Sequence, residues 1–155
     1  MIKTEAIILK KSDFNEKDRI LVVYAEKLGK VNVSAKGVKK LESKLRYSIE
    51  PISYVQMILV EGKNFLILKD AVLIDQFLNI KKDLEKIKIA RELAEIIDEA
   101  IVGEEKDEDI WSLILKTIQA IDRSQTSVNL EEFQKNLIEL LGYDPEQMKK
   151  IEDLY

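Results

Sequence analysis

Two residue types that carry much of protein chemistry are missing from this chain: it has no cysteine and no histidine. Without cysteine there is no disulfide, no thiolate metal site and no thiol nucleophile. Without histidine the commonest general base and the commonest neutral metal ligand go as well. Only 2 prolines and 5 glycines occur in 155 residues, and they do not gather into a linker. Apolar runs are short, far from the roughly 20 residues that a spanning helix needs. The first eleven residues are too charged for the apolar segment of a signal peptide. There is no Gly-rich phosphate loop, no Gly-x-Ser-x-Gly elbow and no zinc-ligand spacing. These shortages predict a cytoplasmic chain with no membrane segment, no cofactor and no enzymatic activity.

What is present is enough to build a core, because hydrophobic residues make up 46% of the chain and charged residues 35%. The net charge of −4 hides an asymmetry. Residues 1–80 carry 14 Lys+Arg against 10 Asp+Glu, a net +4, and residues 81–155 carry 11 against 19, a net −8. Opposite signs in the two parts predict two modules with different partners.

The first part reads as strands. Residues 4–11, 19–26, 30–36, 52–60 and 64–75 are short apolar runs or alternations bounded by charge and turn residues. In residues 30–36, Val31, Val33 and Ala35 point one way and Lys30, Asn32, Ser34 and Lys36 the other, the period of a half-buried strand. Gly62-Lys63-Asn64 marks a hairpin and Gly29 another turn. Five strands in so short a span predict a small closed barrel, which removes exposed sheet edges. The OB-fold is the five-stranded version; an SH3-like barrel fits the same count.

The second part changes period. Leu84, Ile87, Ala90, Ala94, Ile97 and Ile101 line one helix face, with Gly103 as a stop. A second helix starts near Asp107. A third opens at Asn129, with Glu132 three residues on in a capping-box pattern, and runs to Gly142. Asp144 and Pro145 restart a short helix. The reading is therefore α+β: an N-terminal five-stranded barrel, residues 1–80, followed by an α-helical domain, residues 81–155.

Candidate chemistry is sparse. Five acids lie within residues 103–109, a pattern that suits a solvated loop leading into a helix N-terminus better than a Mg²⁺ site. Glu16 and Asp18 read as turn-capping residues that position Arg19, and Tyr24, Tyr54 and Phe65 as core residues of their strands. The basic stretch is more distinctive. Lys30, Lys36, Lys39, Lys40, Lys44 and Arg46 face a single acid, Glu42, within residues 30–46. Such a surface attracts phosphates whatever the base sequence, by Coulomb attraction and counterion release. Tyr47 beside it suits either stacking on a base or closing the barrel. A solvated loop with no partner fits the same residues.

The order of these features is that of a known family. The run from Thr4 to Lys40, with its Glu16-x-Asp18-Arg19 turn, Gly29 and the Ala35-Lys36-Gly37-Val38-Lys39 segment, resembles the opening of RecO proteins. The Ser43-to-Pro51 loop and the Leu-Leu-Gly-Tyr-Asp-Pro segment at residues 140–145 are similar to later parts of that family. The resemblance implies an OB-fold followed by a helical domain. It implies a DNA repair and recombination mediator that binds single- and double-stranded DNA, anneals complementary strands and assists recombinase loading. The partners it implies are RecR and single-strand DNA-binding protein. Many relatives continue into a cysteine-bearing zinc element; with no cysteine, this chain is expected to be a shortened form without it. The expected DNA-binding residues are Lys30, Lys36, Lys39, Lys40, Lys44 and Arg46, extended by Arg19, Lys10 and Lys11. Lys81, Lys82, Lys86, Lys88 and Arg91 are a candidate pocket for the acidic tail of single-strand DNA-binding protein. A protein–protein adaptor built on the same barrel and an RNA-binding OB module are the competing readings.

Overall fold

Alternating apolar residues build the strands of the first part of the chain. The structure, a computed structural model, describes residues 1–14, 18–36, 48–104 and 106–142. Five strands form: β1 Ile2–Asp13, β2 Arg19–Ala25, β3 Gly29–Ala35, β4 Tyr54–Glu61 and β5 Leu66–Asp75. They close into a barrel in the order β1-β2-β3-β5-β4. Every pairing is antiparallel except β3 with β5. This is the OB-fold, the first of the two barrels that the strand count allows.

The barrel fills itself with side chains of one parity. Leu21 and Val23 of β2, Val31 and Val33 of β3, and Val55 and Met57 of β4 belong to one buried cluster. Burying each large apolar side chain is worth about 1.5–3 kcal/mol, so this interior holds the strands in register. Alternation along β3 breaks once: Ser34, on the outward parity, is only 6% exposed. There β5 pairs with β3, Ser34 opposite Ile67. A register shift between Ile8 and Lys10 bends β1, and two more interrupt the β4–β5 ladder. Bulges of this kind add the local twist that closure of a short barrel needs.

Turns are set by local chemistry. Gly29 takes φ 82° after the β2–β3 turn. Between β4 and β5, a Cβ on Gly62 would lie 2.5 Å from the carbonyl oxygen of Phe65, so the loop requires glycine for close approach. At the end of β5, Asp75 Oδ1 accepts a 2.8 Å hydrogen bond from the Phe77 amide. Phe77 takes φ 53°.

Four helices follow: α1 Leu78–Lys81, α2 Leu84–Ala100, α3 Glu108–Arg123 and α4 Glu131–Leu141. Asp83 caps α2 and Asp107 caps α3, each accepting from two backbone amides. Helix α2 stops at Ala100 with extended Ile101 as its cap, short of the expected stop at Gly103. Helix α4 starts one residue later than the capping-box reading places it. Its N-cap is Leu130, but Asn129 Oδ1 still accepts from the Glu131 amide at 2.8 Å. Gly142 closes α4 in the left-handed conformation, as expected. The expected helix at Asp144 and Pro145 lies outside the described residues.

Two compact units result: Met1–Phe77 with Gly103–Lys106, and Leu78–Val102 with the chain from Asp107 on. The second has its own core, in which Leu93, Ile97, Ile114, Ile118 and Leu137 are buried. Asp122, near the end of α3, ties that helix to α1 and to the start of α2. Its carboxylate accepts from the Ile80 amide at 3.2 Å, and its backbone carbonyl accepts from Lys86 Nζ at 2.9 Å.

Candidate nucleic-acid interface

The OB-fold offers one ligand surface by construction: the outward side of β2 and β3 and the loops that flank it. With Leu21, Val23, Val31 and Val33 facing in, strand geometry sends Ile20, Val22, Asn32 and Ser34 outward. Register pairs Ile20 with Ser34 and Val22 with Asn32. One flank is the β1–β2 loop, where the Phe14 amide donates to the Asp18 carbonyl at 3.1 Å. The other is the β4–β5 loop, Gly62 to Phe65. Phe14 and Phe65 meet edge to face, with ring centroids 6.1 Å apart and planes at 74°. That is a favoured geometry for two aromatic quadrupoles. Beside them lies a groove of about 430 Å³ lined by Asn32, Lys63, Asn64 and Phe65, with Glu61 and Glu104 also on its walls.

The expected cations divide among several positions. Lys30 sits opposite Tyr24 near the start of β3, half-buried. Lys36 follows β3 and is exposed. Lys10 and Lys11 are neighbours on a strand, so they project to opposite sides. Lys10 pairs with Val22 on the outward parity and Lys11 with Leu21 on the inward one. Lys11 Nζ lies 2.6 Å from Glu50 Oε1, and Arg19 Nε lies 3.8 Å from Asp13 Oδ1. Carboxylates therefore compensate two of the cations expected to extend the patch. Lys39, Lys40, Lys44 and Arg46, together with Tyr47, lie outside the described residues.

Residues 1–77 match the family model described as "Recombination protein O N terminal". The chain belongs to the RecO family. Over 148 residues it is 30% identical to the DNA repair protein RecO of Thermoanaerobacter sp. (strain X514), covering 94% of this chain and 60% of that protein. To the RecO of Caldanaerobacter subterraneus subsp. tengcongensis it is 30% identical over 146 residues, covering 93% and 59%. To the RecO of Roseiflexus sp. (strain RS-1) it is 32% identical over 145 residues, covering 93% and 51%. The chain thus spans little more than half the length of these curated relatives.

Within this RecO barrel, two aromatic residues stand where sequence reading did not put them. Phe65 precedes β5 instead of lying inside it, half-buried in the loop. Phe14, 61% exposed, drew no attention in its polar surroundings. A lone aromatic in a polar loop between two strands of an OB-like count is the signal that finds it. Tyr54 is likewise not part of the barrel interior. Its hydroxyl donates to Glu5 Oε2 at 2.7 Å. Burial first, then that bond and the Glu5 charge, push its phenol well above the ordinary range. Arg19 also faces Asp13, across the β1–β2 ladder; Glu16 lies outside the described residues.

Two of the lysines proposed within α2 have partners inside the helical unit. Lys86 donates to the Asp122 carbonyl, and Lys88 lies 3.8 Å from Glu85 along the same helix. Among the described residues no helix is long and apolar enough to cross a membrane. Among them, too, no group of three or more acidic side chains gathers into a metal site.

Proposed function

We propose that this protein is a DNA-binding recombination mediator of DNA repair that works in the cytoplasm by binding alone, without catalysis. It binds single- and double-stranded DNA, anneals complementary strands and assists loading of the recombinase. Its partners are RecR and single-strand DNA-binding protein. Membership of the RecO family supports this reading, as does the name DNA repair protein that its relatives carry. One observation carries it furthest. The strand that builds the OB ligand face, β3, runs through exposed Lys36 directly into the segment that holds Lys39, Lys40, Lys44 and Arg46.

The mechanism is electrostatic. Lys30, Lys36, Lys39, Lys40, Lys44 and Arg46 neutralise backbone phosphates, with Lys10 on the same outward parity. Lys11 and Arg19, each facing an acid, extend the patch. Annealing brings two polyanions together, and a cationic surface lowers their repulsion. If about five phosphates of a single strand are neutralised, log K falls against log salt with a slope near −3.5. A salt series with labelled DNA and RNA strands tests the reading. Salt-dependent DNA binding followed by strand annealing supports it. Binding to neither strand points to the adaptor. A preference for RNA points to 2′-hydroxyl recognition.

A further inference from the structure

We infer that Phe14 and Phe65 form a stacking site for an unpaired DNA base. This deepens the DNA-binding reading and rests on it. Four observations converge. The two rings sit on the two loops that flank the outward β2–β3 surface, and they meet edge to face. Phe14 leaves 61% of its surface in water, an apolar face that a base covers favourably. The adjoining groove is too mixed in charge for a phosphate, since Lys63 shares it with Glu61 and Glu104. Its neutral groups suit a base edge instead: the amides of Asn32 and Asn64 both donate and accept. Finally, Gly62 lets the loop chain pass close to the Phe65 carbonyl, which fixes the residues that carry the ring.

Bases inside a duplex are stacked on one another and present no open face. The site therefore separates single strands from duplex, whereas the lysines do not. This gives the aromatic pair a distinct role in annealing: it holds a strand with a base displayed until pairing withdraws it.

The test uses the whole chain, an oligothymidylate and a blunt-ended duplex of two fully paired strands, both labelled, in anisotropy titrations over a salt series. Phe14→Ala with Phe65→Ala is expected to weaken oligothymidylate binding by about 5- to 100-fold, in line with measured base–aromatic stacking. Duplex binding and the salt slope are expected to stay unchanged. Phe14→Trp, which keeps a stacking face, is expected to retain affinity, with its emission quenched by the oligonucleotide. Equal losses on both probes, no loss on either, or a flattened salt slope overturns the inference. So does a lowered melting temperature with unchanged single-strand affinity, because the pair then only ties two loops together. If reversing Lys39, Lys40 and Lys44 weakens binding while the phenylalanine changes do not, the stacking site alone is wrong. If the unaltered protein binds neither probe, the DNA-binding reading falls with it.

Discussion

The barrel and the helical unit use similar residues to different ends. In the barrel, apolar side chains of one parity fill a closed interior, which leaves the other parity and the loops on the outside. In the helical unit, carboxylates serve the backbone: Asp83 and Asp107 cap helices, and Asp122 accepts the Ile80 amide. Residues 1–80 are left at net +4 and residues 81–155 at net −8. The difference teaches that a net charge of −4 can conceal a basic excess confined to one part of the chain.

The sharpest way to break this comparison is charge reversal in each unit. Lys39→Glu with Lys40→Glu and Lys44→Glu is expected to reduce the salt slope from about −3.5 to about −1.4, with at least ~100-fold weaker single-strand binding at low salt. Reversing Lys82, Lys88 and Arg91 in the helical unit is expected to leave both values nearly unchanged, measured by anisotropy. Comparable losses from the two triples would erase the distinction.

Core truncations come next. Leu59→Ala in the barrel and Ile114→Ala in α3 each remove a fully buried side chain. Each is expected to cost about 2–5 kcal/mol in denaturant unfolding. Cap removal is smaller and specific to the helices. Asp83→Ala and Asp107→Ala are each expected to cost about 1 kcal/mol. Trp111, the chain's single tryptophan, sits in α3 and reports the loss.

Tyr54 sharpens the comparison on the barrel side through pH. Its phenol is held neutral in the folded state above the ordinary value of 10.0. The stabilisation is therefore fully present below that value and is lost as pH rises through it toward the folded one, because the unfolded chain ionises first. Tyr54→Phe is expected to make stability fall less steeply above about pH 10 than in the unaltered protein, measured by denaturant midpoints across alkaline pH. The smallest effect belongs to the half-exposed Lys11–Glu50 pair. Because Lys11 stands on the inward parity, Glu50→Gln is expected to leave the salt slope unchanged, at a stability change under about 1 kcal/mol in denaturant unfolding.

Much of the fold was legible because it rests on period. Val31, Val33 and Ala35 announce a strand by alternation, and Leu84 through Ile97 announce a helix by steps of three and four. The five-strand count reads as a barrel, but nothing local separates an OB-fold from an SH3-like barrel. The parallel β3–β5 pairing makes that choice, and it joins residues far apart in sequence. The same distance hides the site. Phe65 belongs to an apolar run and reads as core, yet β5 begins one residue later and leaves the ring on the loop. Glu50 reaches Lys11 across 39 positions, a partnership that no spacing rule contains. Asp13 faces Arg19 because antiparallel register places them opposite each other.

The β3–β5 seam has a consequence of its own. It consists of two paired positions, Val33 with Leu66 and Ser34 with Ile67, whereas β1 and β4 align from Ile2 to Ile7. A cylinder fastened by so brief a join parts there first, and its amides there exchange with solvent sooner than those between β1 and β4. A polymer laid from one flanking loop to the other would act as a suture across that join. Occupancy would then slow exchange at Ile67, an amide the polymer need never touch.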